Sequence, residues 1–225
     1  MPKAKKVLKI MGVVLCAAIL MSLGALQSCR LMVEKPDFRV VEKSTGYAIR
    51  EYPACVVAQV TVPKDTDEPM SRGFGPLANY IFGKNVAETK IAMTSPVTSE
   101  QPQGEKIAMT SPVTQESGAE GHVVSFIMPS EYTLEDLPQP LNDAVRLEAI
   151  PARTLAVRRF GWTGNAQAMQ QKEQDLRDAL ERDGITVTGP AIYARYDPPW
   201  TLPPFRRNEV MLPVELEDAE TGAGE

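Results

Sequence analysis

Histidine is almost missing from this chain: among 225 residues His122 stands alone. Ser-His-Asp and Cys-His catalytic arrangements would all have to run through it. Cysteine is nearly as scarce. Of three, Cys16 lies in an N-terminal apolar run and Cys29 at its end, so only Cys55 falls in the body of the chain. One thiol forms no internal disulfide and no zinc site without companions. Glycine-rich phosphate loops, H-E-x-x-H and C-x-x-C are all absent. The carboxylates of Glu131, Glu135 and Asp136 sit beside prolines and read as a solvated turn. The sequence offers no enzyme.

Basic charge is short as well. Lys3, Lys5, Lys6 and Lys9 form a basic start, followed by an apolar run from Ile10 to Leu26 that ends Leu26-Gln27-Ser28-Cys29. This is the anatomy of a secretory signal, and L-x-S-C resembles a bacterial lipobox whose cysteine is lipidated. Residues 1–28 are read as a lipoprotein-type signal peptide, with an uncleaved membrane anchor as the alternative. Residues 29–37 form the lipidated N-terminus and tether, residues 38–216 the folded domain, and residues 217–225 a disordered acidic tail. The expected place is the cell envelope, facing the periplasm. Arg30 after the cysteine favours the outer membrane if the source is Gram-negative. Without the four lysines, 20 basic residues face 29 acidic ones, a net charge of −9. Nucleic acid needs a basic footprint and is excluded as a partner.

One phrase, K-I-A-M-T-S-P-V-T, occurs twice, at Lys90–Thr98 and Lys106–Thr114. Its period-two alternation suits strands, and the polar Ser99–Glu105 between the copies suits a turn, so an antiparallel hairpin is expected. Strands are further expected over Phe38–Lys43, Tyr47–Tyr52, Cys55–Val62, His122–Met128, Val145–Ile150, Ala152–Phe160, Ala191–Tyr196 and Glu209–Glu215. Met70, Phe74, Leu77 and Ile81 recur at helical spacing. Gly73, Gly75 and Pro76 weaken the first half, which places the well-formed part of that helix from Pro76 to a stop at Gly83. Asn165–Arg182 is the clearest helix.

A fainter repeat appears at a shift of 98, which lays Pro53, Ala54 and Ala58 on Pro151, Ala152 and Ala156. The same shift carries the first helix into the second. The reading is an α+β domain of two similar strand–helix–strand halves with a shared core.

Several ordered phrases carry a resemblance: Arg50-Glu51-Tyr52-Pro53, Asn79-Tyr80-Ile81-Phe82-Gly83, Lys90–Val97, Tyr196-Asp197-Pro198-Pro199-Trp200 and Phe205-Arg206-Arg207-Asn208-Glu209-Val210. They are similar to those of the SOUL haem-binding proteins, over about Phe38 to Val214. The resemblance implies a distorted β-barrel of two pseudo-symmetric halves with two main helices, similar in fold to ligand-binding domains of some bacterial transcription regulators. It also implies that haem or another porphyrin binds in an apolar groove beside the first helix. Carried over by position, the groove falls on Arg72 (or Ser71), Phe74, Ala78 and Asn79, with Leu77 and Ile81 beneath or beside it.

Where vertebrate relatives place cations for the propionates, this chain has Ser71, Asn79 and Thr201–Leu202. Arg206 or Arg207 would serve from the late loop, or the Arg206–Glu209 run forms an internal ion-pair cluster. Haem iron takes His, Cys, Met or Tyr. His122 reads as an exposed strand-end residue, Met93, Met109 and Met128 as strand positions, and Cys55 as a small buried hydrophobe. Macrocycle packing with weak or no axial ligation follows. The alternative is a module for another apolar ligand or a protein partner on the envelope, without haem.

Overall fold

The computed structural model describes residues 33–86 and 104–216. The signal, Cys29, the first copy of the repeated phrase and the acidic tail lie outside the described residues. Twelve strands and two helices are described: β1 (Arg39–Ser44), β2 (Tyr47–Tyr52), β3 (Cys55–Val62), α1 (Pro69–Ile81), β4 (Asn85–Val86), β5 (Val113–Ser117), β6 (His122–Ile127), β7 (Gln139–Pro140), β8 (Val145–Ile150), β9 (Arg153–Phe160), α2 (Ala166–Arg182), β10 (Thr186–Val187), β11 (Ile192–Arg195) and β12 (Asn208–Glu215).

The main sheet is antiparallel, in the order β1-β2-β9-β12-β11-β5-β6-β3-β8, with β10 on β12. It does not close, with β1 and β8 left as its edges, so the expected barrel is an open one. From β2 to β8 the order reads as its own mirror about the β11–β5 seam. A shift of 98 superposes β2 on β8 and β3 on β9 residue for residue, and carries α1 into α2. Pro53 and Pro151, each without an N–H, punctuate the same corner in both halves. At that corner Tyr52 pairs with Arg153, and Cys55 with Ile150.

Alternation along each strand sends one set of side chains to the helices and the other to the opposite face. Leu77, Tyr80 and Ile81 of α1 pack on Ala58, Val60, Val124, Phe126 and Val145. Met169, Leu176 and Leu180 of α2 pack with Tyr47, Ile49, Ala156, Val210 and Leu212. A third cluster, Tyr52, Leu155, Val157, Ile192, Ala194, Tyr196 and Met211, fills the other face.

Two expectations fail. The helix does not wait for Pro76: it starts at Pro69, behind Glu68, which is left-handed (φ 53°) and makes no side-chain cap. Gly73 is not a weakness there, because a β-carbon on it would meet the side chain of Val124. Close packing on β6 sets that position, and it overrides glycine's poor helix propensity. Gly83 does end the helix, at φ 105°.

The second copy of the repeated phrase is also no hairpin strand. From Lys106 to Met109 it has no ladder, and Thr110 makes one isolated parallel bridge with Glu34. Ile107 is buried and donates its N–H to Ile81 O. Asn85 clamps Glu105 through both its amide and its carbonyl oxygen. The described copy therefore packs along the end of α1; its expected partner in the hairpin lies outside the described residues. Only after Pro112 does β5 begin, and β6 and β11 occupy both its edges.

Candidate functional site

One flank of α1 exposes Ser71 and Phe74 and half-exposes Ala78, while Arg72 and Asn79 are exposed on the other flank. Phe74 is 38% exposed, yet its ring is held edge-on against Phe126 at 5.2 Å between centroids. Leu77 and Ile81 are fully buried beneath it. They act as the floor under the flank and have no surface of their own to offer. On the other side of α1, Pro76, Asn79 and Tyr80 face Pro140, Leu141 and Asn142 across a shallow cleft of about 210 Å³. That is smaller than the ~300–1,000 Å³ of ordinary ligand pockets. Tyr80 closes the cleft from below, its hydroxyl donating to Pro138 O at 2.9 Å.

The candidate iron ligands are scattered. His122 begins β6, with Nδ1 3.3 Å from Ser117 Oγ across the β5–β6 hairpin. Met128 is in the core under α1, and Met109 is partly exposed on the segment beside it. Met93 lies outside the described residues. Cys55 is half-buried on β3, where alternation with Ala58 and Val60 turns it to the face away from α1. Burial raises its thiol pKa against the pull of Arg153, which keeps it protonated and a poor ligand. Among the described residues no three His, Cys, Asp or Glu side chains group as a metal site.

The late-loop arginines are committed. Glu209, fully buried, accepts from Arg207 Nη2 at 2.8 Å, Arg50 Nη1 at 3.2 Å and Tyr196 Oη at 2.7 Å. Arg50 also stacks over Phe38 and Arg207 over Tyr196. Burial, with Glu209 beside it, raises the Tyr196 pKa far above the usual phenol, so it is a neutral donor. Arg206 turns back on its own loop, donating to Thr201 O at 2.7 Å and Pro199 O at 2.6 Å.

Arg195, at the end of β11, was not anticipated. Its Nη2 donates to Gly164 O at 2.6 Å, while its buried Nε has no partner. Burial lowers its pKa, Glu68 opposes that shift and Arg206 adds to it. The start of α1, the entry to α2 and the late loop therefore meet around this one guanidinium. Alternation from Tyr193 along β11 already pointed it to the helix side, and this was the signal available in the sequence.

The profile of the SOUL heme-binding protein family matches residues 33–213. Heme-binding protein 2 of Homo sapiens is 34% identical over 186 residues, covering 80% of this chain and 85% of that protein. This chain belongs to the SOUL family. The Mus musculus protein of the same name is 32% identical over equal coverage. Among solved structures, the EcmrR C-terminal domain aligns with a TM-score of 0.52 at 14% identity, over 79% of this chain and 98% of that one. EcmrR in a DNA complex gives 0.51, over 89% and 65%. At that identity the likeness is one of fold alone. In this SOUL chain three of the phrases that carry the resemblance, Arg50–Pro53, Tyr196–Trp200 and Phe205–Val210, come together around Glu209 as a structural ion-pair and hydrogen-bond cluster.

Proposed function

We propose that this SOUL protein is an envelope-anchored binder of haem or a related tetrapyrrole, and not an enzyme. Family membership supports the ligand class. The observation that carries the placement is Phe74: a large aromatic ring left half in solvent on α1, yet fixed by Phe126 behind it. A flat macrocycle laid on Phe74 and Ala78 would cover apolar surface that water now touches, at roughly 25 cal/mol per Å². Arg72, two residues before Phe74, projects from the far flank of the helix, so the cation placed to meet a carboxylate edge is Arg195, near the start of the helix. Leu77 and Ile81 hold the flank rigid from below. The 210 Å³ cleft is too small to enclose the ring, which supports a ligand laid on the surface of α1.

Bound haem would supply its iron to this site; Met128 is buried in the core and the Cys55 thiol is turned to the other face of the sheet, so neither would reach it. The expected behaviour is recognition of the macrocycle with weak or no axial ligation. The anchor is Cys29, and the partners are a tetrapyrrole and the membrane.

A haemin titration of the purified protein in the Soret region, with protoporphyrin in parallel, tests this. Saturable one-to-one binding of both, unchanged in His122→Ala and lost in Phe74→Asp, is expected. Binding of haemin alone, abolished by His122→Ala, would overturn the placement on α1.

A further inference from the structure

Away from the Phe74 flank, Trp162 and Trp200 are 66% and 72% exposed, with Phe205 at 56% and Leu202 at 45%. These side chains do not belong to loose loops. Trp162 holds a left-handed backbone (φ 66°), uncommon for a residue of its size. Its N–H donates to Pro203 O at 2.9 Å, and its carbonyl accepts from Asn208 Nδ2. The loop after β11 carries Pro198, Pro199, Pro203 and Pro204 and a 3-10 turn at Pro203–Phe205. The Arg206 guanidinium ties it to Thr201 and Pro199. Two loops are thus bonded into one stiff platform with its aromatic side chains turned to water. Exposed apolar patches of this kind mark interaction surfaces.

We infer that this platform docks on the lipid bilayer. Three observations select that occupant. The two indoles are the side chain enriched at bilayer interfaces, an apolar body with one N–H for the headgroup layer. Arg207 is neutralised by Glu209, which leaves the half-exposed Arg206, bonded only to carbonyl oxygens, as the one unpaired charge of residues 198–207, so on a body with a net charge of −9 this patch is the part that an anionic lipid surface would not repel. The stretch from Cys29 to Phe38 spans about 30 Å when fully extended. An anchored chain would therefore keep its domain within reach of the membrane. This step rests on the envelope anchoring proposed above and is independent of the tetrapyrrole.

The chain has two tryptophans, both in the platform, so its intrinsic emission reports this surface alone. The full chain, purified from membranes, is reconstituted without haemin into phosphatidylglycerol–phosphatidylethanolamine vesicles. Flotation is then measured beside quenching by iodide and by brominated acyl chains. The expected result is co-flotation, with brominated chains quenching both indoles, iodide quenching them several-fold less than in the unfolded chain, and weaker lipid quenching in pure phosphatidylcholine. Trp162→Ser and Trp200→Ser singly assign the signal to each indole. Co-flotation with indoles open to iodide and untouched by brominated chains overturns the docking while leaving the anchor in place. Protection from iodide without lipid quenching points to a protein contact and also overturns it. A chain that does not float fails the anchor, and the docking falls with it.

Discussion

A β-carbon placed on Gly73 would stand 2.5 Å from the β-carbon of Val124. Two residues further along α1, one placed on Gly75 would meet nothing within 4 Å. The two glycines of one helix should therefore respond to the same substitution with opposite signs. Overpacking costs about 1–3 kcal/mol, and alanine recovers about 1 kcal/mol of helix propensity. Gly73→Ala is expected to lower stability by up to about 2 kcal/mol and Gly75→Ala to raise it by up to about 1 kcal/mol, read from urea unfolding midpoints. Equal effects would mean that α1 does not sit on β6 as described.

Glu209 holds two arginines in the interior. Removing its charge leaves both uncompensated, and breaking such a pair costs about 3–5 kcal/mol. Glu209→Gln should lower thermal stability sharply. A double-mutant cycle with Arg50→Met should recover part of that loss, since the second change removes one stranded charge. Additive losses in the cycle would show that the two groups do not interact.

Glu116 on β5 is half-buried, and desolvation raises its carboxyl pKa despite Arg153. A carboxyl with a raised folded pKa binds protons more readily in the folded chain than in the unfolded one. Its contribution is therefore most favourable below the unfolded carboxylate pKa and is lost as pH rises through the folded value. Glu116→Gln is expected to stabilise the protein near neutral pH, with the gain shrinking as pH falls into the acid range. Paired denaturation curves at several pH values measure this, and a gain that grew in acid would contradict it.

Arg206 pins its loop through two carbonyl oxygens. Lysine keeps the charge but not the two-pronged geometry, so Arg206→Lys should free the backbone around Thr201. Faster amide hydrogen exchange over residues 199–205, with little change in the unfolding midpoint, is the expected outcome.

The elements with strong local signals were legible in the sequence. β2, β3 and β8 have the bounds that alternation and the flanking prolines give, and Asn165 caps α2 by accepting from Ala168 N–H. The shift of 98 looked slight as a set of identities and proves to be a relation between whole strands. What local reasoning missed was set by distant contacts. Gly73 reads as a helix breaker until Val124 is above it, and Lys106–Ser111 reads as a strand until Ile81 takes the Ile107 N–H and Asn85 clamps Glu105 just before it. Helical spacing put Phe74, Leu77 and Ile81 on one face of α1, and the burial of Leu77 and Ile81 agrees with it; that a groove lies there came from the resemblance. Arg195 was overlooked because its importance comes from Glu68, Gly164 and Arg206, all far away in sequence.

The mirror order of the sheet has a mechanical consequence. Under α2 the sheet is completed by β2, from the first half of the chain, and under α1 by β8, from the second. Each half has lent its opening strand to the other, as two partners do when they exchange arms. A cut in the connector between β6 and β7 would leave two fragments, each short of a strand its own helix needs. Neither would bury its core alone, and together they would clasp through β2–β9, β3–β8 and the β5–β11 seam.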